Sequence, residues 1–201
     1  MAFGGRVLGG PIFQKLTYIA SMNYGIILRF GSLLGFFSSA AMLITYLVNL
    51  AWMVSGWNSL VSVALLLGAM ALGCLEDRRF HEQQYAYGRA VVTALGIGVV
   101  GSLIGILFTG LLYNVIDQDL HVRVKELMAT KMEESLGSFG MEDAEVDKAM
   151  EAFEARSFQQ DWKALGTAFM LSVLMNFFFA LVVGLFVRRR IRDPFSDASA
   201  G

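Results

Sequence analysis

Hydrophobic positions in this chain come in long blocks, with no short alternation of the strand kind. Ala90 to Ile116 runs 27 residues without a charge. As a helix rising 1.5 Å per residue that is about 40 Å, enough to cross a bilayer core about 30 Å thick with some tilt. Phe30 to Leu75 carries no charge over 46 residues, too long for one span. Turn formers at Val54-Ser55-Gly56-Trp57-Asn58-Ser59 divide it. Ala164 to Val187 adds 24 more uncharged residues. The pattern predicts an all-α polytopic membrane protein, a four-transmembrane-helix bundle with spans at about 24–53, 59–75, 90–116 and 164–187.

Polar positions fill what is left. Residues 1–23 mix glycines, Pro11, Arg6 and Lys15 with Phe3, Ile12 and Phe13, a composition for a segment at the membrane surface or without fixed structure. Glu76 to Arg89 reads as a short polar connection. Residues 117–163 hold twelve acidic and six basic groups. There Leu120, Val124, Leu127, Met128, Met132 and Leu136 recur at helical spacing. A Gly137-Ser138-Phe139-Gly140 break follows, and then Val146, Ala149, Met150 and Phe153. This predicts an acidic helical hairpin between the third and fourth spans. Residues 188–201 form a basic tail.

Within the spans, small residues fall on helical stripes. Lipid supplies no hydrophobic drive between helices, so close backbone approach along such stripes holds a bundle together. Gly31 and Gly35 mark the first span, Ala64, Gly68 and Ala71 the second, Gly98, Gly101 and Gly105 the third, Ala180 and Gly184 the fourth. Asn49 and Asn176 are candidate intramembrane polar contacts, and with Asn114 they would be the polar groups of any pore.

Composition agrees with this. The chain is 56% hydrophobic and 16% charged, where soluble domains carry about 25% charged residues. Lone Cys74 sits in an apolar run, so no disulfide framework is available. Trp52, Trp57 and Trp162 are expected at one headgroup level, and Arg188, Arg189 and Arg190 at the other. Lys and Arg near span ends set orientation, which puts both termini in the cytoplasm and the acidic hairpin outside. Arg29, one turn inside the first span, is expected to snorkel to the headgroups.

Enzyme chemistry is thin. Gly96-Ile97-Gly98-Val99-Val100-Gly101 matches a dinucleotide fingerprint, but no strand precedes it and no βαβ unit surrounds it. His81-Glu82 begins a zinc motif whose second histidine is replaced by Tyr85. His121 stands alone in the acidic stretch. No nucleophile and base set, metal cluster or cofactor site is expected, and no basic-aromatic pattern suits nucleic acid. With Arg29 as the only charge inside a span, ion-coupled transport is disfavoured.

With the spans placed, the chain resembles the domain of unknown function 4199 family, small bacterial membrane proteins, from about Met22 to Arg190. The likeness rests on Tyr24-Gly25 opening the first helix and on the Tyr85, Gly88, Arg89, Ala90 entry to the third. Tyr113-Asn114 leaving that helix, Gly140-Met141 before an acidic helix, and a basic end to the fourth complete it. The resemblance implies a bacterial cytoplasmic-membrane protein and brings no catalytic or binding residue. The expected function is a non-catalytic accessory or assembly subunit. It would sit in the lipid bilayer and bind other membrane-protein subunits, or itself, through small-residue helix faces. A small transporter or channel with a polar intramembrane path is the alternative.

Overall fold

The computed structural model describes residues 23–80, 85–138, 141, 143–155 and 161–188. The described residues are helical, with no strand among them. In chain order they form α1 (Tyr24–Val48), α2 (Leu50–Met53), α3 (Gly56–Arg79), α4 (Tyr87–Leu111), α5 (Leu120–Ser138), α6 (Asp143–Glu154) and α7 (Trp162–Val187). A π-helical turn over Leu112–Ile116 continues α4. Four helices are long and apolar enough to cross a membrane: α1, α3, α4 with its π turn, and α7.

Helix α4 is the hub. It packs against α1, α3 and α7, while α3 touches both α1 and α7. Gly31 meets Val100, Leu34 meets Gly101 and Gly35 meets Ile104, so the contacts on α1 and α4 advance together and the two helices run parallel. Gly98 meets Asn176, Gly110 meets Leu165 and Gly184 meets Val91, so α7 runs against α4. The core between them is Met70, Cys74, Ala90, Ala94, Ile97 and Ala180, all fully buried. The outer faces stay apolar: Phe36, Leu47, Trp57 and Phe186 lie open, the last at 84%. A surface of this kind suits hydrocarbon and would be untenable in water.

The elements depart from the sequence expectation at the ends of the spans. The first span is not continuous to Met53. Asn49 leaves the helix with an extended backbone (φ −161°, ψ 110°), and its side chain accepts the Ala51 N–H at 2.9 Å, capping α2. Asparagine competes for backbone groups in this way and so favours helix ends. The second and third spans are longer than predicted, because each helix runs on past its apolar block into polar and charged residues. Helix α3 begins at Gly56 and runs to Arg79; α4 begins at Tyr87. Between the spans, α5 and α6 touch one another.

Helix α5 is also tied to the membrane end of α1 and α2. Leu112, Leu120 and Val124 form a second buried cluster against Met42, Tyr46, Leu50 and Met53. The Tyr46 hydroxyl donates to Asp117 at 3.0 Å, Arg123 pairs with the same carboxylate, and Lys131 Nζ donates to the Ala51 carbonyl at 3.2 Å.

Candidate functional site

The inward face of α3 reads Met70, Gly73, Cys74, Asp77, and that of α4 reads Arg89, Thr93, Ile97. Both follow the three-and-four spacing of a helix face. Where the two faces meet at the Arg79 end, they bury an ion pair. Asp77 is fully buried and Arg89 is 7% exposed. Asp77 Oδ2 accepts from Arg89 Nε at 3.1 Å, the Tyr85 hydroxyl at 3.0 Å and the Thr93 hydroxyl at 3.1 Å. A buried carboxylate is tolerable only when charge-assisted hydrogen bonds replace its water, and these donors supply that.

Tyr85, just outside α4, is nearly fully buried in this cluster. Burial pushes its phenol above the usual tyrosine value, and the neighbouring Asp77 charge adds to the shift. Cys74 Sγ donates to the Ala90 carbonyl at 3.3 Å, one turn inside. At the same end Arg78 reaches the Val187 carbonyl at 3.2 Å, and the Tyr87 hydroxyl reaches Leu181 at 3.3 Å. All four long helices are therefore fastened here, α1 through the Arg29 to Glu76 pair at 3.2 Å.

Asp77 and Arg89 correct the expectation that Arg29 is the only charge within a span. Arg29 itself keeps 66% of its side chain exposed while holding Glu76. The pair was hidden because charges were read as the boundary of each span. Carrying the four-residue spacing of Thr93 and Ile97 back one turn puts Arg89 on the inward face.

Further along the bundle Asn176, 2% exposed, donates to Ser102 Oγ at 2.8 Å. It is a buried polar contact between α7 and α4. Asn49 is not one, since it caps a helix in an exposed position, and Asn114 donates to the Gly110 carbonyl of its own helix at 2.9 Å. Of the small residues singled out, Gly31, Gly35, Gly98, Gly101 and Gly184 each sit where a Cβ would come within 3.0 Å of a neighbouring helix, and Ala180 is fully buried. Gly105 differs: a Cβ there would meet nothing within 4 Å.

That open space belongs to a cleft between α1 and α3, floored by α4. Its outer lobe, about 530 Å³, lies between Ala41, Ile44, Trp52, Trp57, Asn58 and Val61. A middle lobe of about 290 Å³ shares Ala41 and Asn58 with it. An inner lobe of about 240 Å³ shares Ser38, Ser62 and Gly105 with the middle one and ends at Ser102 and Ser172.

Trp52, Trp57 and Trp162 are 54%, 76% and 79% exposed, all at the bundle end opposite the Asp77 cluster. Arg188 follows the last residue of α7 at the Asp77 end; Arg189 and Arg190 lie outside the described residues, as do residues 1–22 and the His81-Glu82 pair. The dinucleotide-like glycines are helical and packed against Ile27, Met70 and Leu34. His121 is half-buried, its Nδ1 2.6 Å from the Gln118 carbonyl. Among the described residues, no group of three His, Cys, Asp or Glu is placed to hold a metal ion.

Four long apolar helices with lipid-compatible outer faces define a multi-pass α-helical membrane protein. Residues 29–189 match the family model described as protein of unknown function (DUF4199), and the chain belongs to that family. No curated protein and no solved structure matches it.

Proposed function

We propose that the protein is a non-catalytic subunit of the bacterial cytoplasmic membrane that docks another membrane protein, or a second copy of itself, on the outer face of α3. The observation that carries this reading is Gly68. With Ala64 one turn away it makes a small-residue pair of the kind that lets helices approach closely. Yet a Cβ on Gly68 would meet nothing within 4 Å. Helix α3 is also the span least covered by its own fold, with 17% of its apolar window buried. In this reading the four spans form one bundle with both termini cytoplasmic, and α5 and α6 make an acidic helical hairpin outside. The K/R-rich ends beside Asp77 support that orientation.

Affinity recovery of the full chain from native membranes in mild detergent, with identification of co-purifying proteins, tests the docking role. A stoichiometric membrane partner, or a second copy, lost on Gly68→Leu is the expected result. Recovery of the chain alone ends this reading. A second reading, a small transporter or channel, draws on the buried Asp77 and Arg89, because intramembrane ionisable groups commonly mark ion pathways. Solute or proton flux from the purified protein in liposomes, lost on Asp77→Asn and on Asn176→Leu, would favour it.

A further inference from the structure

At the inner lobe of the cleft all four spans meet. Ser38 comes from α1, Ser62 from α3, Ser102 from α4 and Ser172 from α7. Ser102 lies fifteen residues after Tyr87 and fourteen before Ile116, the middle of its span. Ser172 is ten residues past Trp162, about 15 Å of helix rise and half of a bilayer core about 30 Å thick. Serines at such a level commonly tie helices together, but these leave the gap open. Ser62 donates to the Asn58 carbonyl at 2.8 Å and Ser172 to Phe169 at 2.8 Å, each within its own helix. Ser102 accepts from Asn176, and no hydrogen bond among the described residues joins two of the four serines. They line a space of about 240 Å³ that they could have closed. The outer faces of α1 and α7 carry Phe36 and Phe178 instead, so the hydroxyls mark a surrounding other than lipid.

Ser39 adds a second observation. It lines the middle lobe, and its Oγ is enclosed without a hydrogen-bond partner. A buried hydroxyl left in that state is costly. An acyl chain cannot relieve it, nor can the backbone of another helix, which is paired within itself; water can. The middle lobe of about 290 Å³ has room for several waters, each taking about 30 Å³. Thr45, Ser55 and Asn58 carry the polar lining on to the mouth beside Trp52, at the headgroup level. Toward the Asp77 end the packing closes, with Met70, Ala94 and Ile97 fully buried.

We propose that the three lobes form one water-filled vestibule, open at the tryptophan end and closed in the middle of the membrane by Asn176 and the layer of Met70 and Ile97. It brings water to the midplane from one side only. The inference rests on neither reading of function, since hydration is read at single thiols, without a partner and without flux.

The test is cysteine accessibility in the full chain, reconstituted in lipid nanodiscs that leave both membrane faces open. Ser62→Cys and Gly105→Cys, on facing walls of the cleft, are each made on Cys74→Ala. Phe36→Cys, on the outer face of α1, is the dry control. The probe is ethyl-trimethylammonium methanethiosulfonate, which reacts with thiolate and therefore with thiols in water. Each unit by which a dry site raises a thiol's pKa cuts its thiolate tenfold, so both cleft positions should react more than about tenfold faster than Phe36→Cys. Cys74 in the otherwise native chain should stay unmodified. A rate at either cleft position level with Phe36→Cys overturns the proposal and leaves the cleft to hydrocarbon. Fast reaction in nanodiscs that is absent in native membranes also overturns it, because a partner then fills the cleft. Reaction of native Cys74 overturns the closed end, since the path would then run on past Met70.

Discussion

Asp77 and Arg89 hold one another across the junction of α3 and α4, Oδ2 to Nε at 3.1 Å, with both side chains buried. Taking away one member leaves an uncompensated charge in an apolar site, which costs about 3–5 kcal/mol in buried pairs of this kind. Asp77→Ala and Arg89→Ala should each lower the thermal midpoint of the detergent-solubilised protein sharply. The double variant should lose much less than the two losses combined, because neither charge is then stranded. Additive losses would show that the two residues act separately.

Tyr85 and Thr93 donate to the same carboxylate oxygen. Because burial raises the Tyr85 phenol above its ordinary value, the folded state holds this proton more tightly than the unfolded chain does. Its contribution is then complete below about pH 10, the unfolded tyrosine value, and is lost as pH climbs through the higher folded one. In tyrosinate absorbance titrations Tyr85 should ionise last, together with unfolding. Tyr85→Phe should remove that late component from the curve.

Cys74 is fully buried, with its thiol on the Ala90 carbonyl. A buried thiol away from cationic groups is slow to react. A maleimide should leave the native protein unlabelled in mild detergent and label it fully in denaturing detergent. Labelling of the native form would mean that α3 and α4 part readily at this level. With Cys74→Ala as background, a cysteine at exposed Thr130 should react with a membrane-impermeant maleimide added to intact spheroplasts, as the proposed orientation requires.

Much of this fold was legible because the membrane imposes a simple rule: every backbone group must be paired within its own segment, so uncharged blocks of sufficient length become helices. The blocks at 90–116 and 164–187 needed only their ends adjusted. Gly31, Gly35, Gly98, Gly101 and Gly184 were also readable, since close approach leaves a size signature along one face. The same reasoning failed for Asp77 and Arg89. Hydropathy treats charge as a boundary, whereas two opposite charges that find each other can sit inside one. Gly105 and Asn49 failed for a different reason. A stripe gives the face but not the partner, and α3 diverges from α1 beside Gly105. Asn49 spends its amide oxygen on Ala51, a local choice that composition cannot distinguish from an interhelical bond.

Gly31 and Gly105 provide the sharpest contrast in packing. Both are small residues on stripes of spans that face one another, and glycine to alanine favours a helix by about 0.8–1.0 kcal/mol when nothing else changes. At Gly105 nothing else does change, since the space around it is open, so Gly105→Ala should hold or raise the midpoint. At Gly31 a new Cβ would lie 2.6 Å from Val100 Cβ and 3.1 Å from the Ile97 carbonyl oxygen. Neither atom is the free end of a flexible chain, so α1 and α4 must separate, and overpacking of this kind costs about 1–3 kcal/mol. Gly31→Ala should therefore lower the midpoint in the same detergent. If the two variants behave alike, the approach of α1 to α4 is not what holds the two helices together.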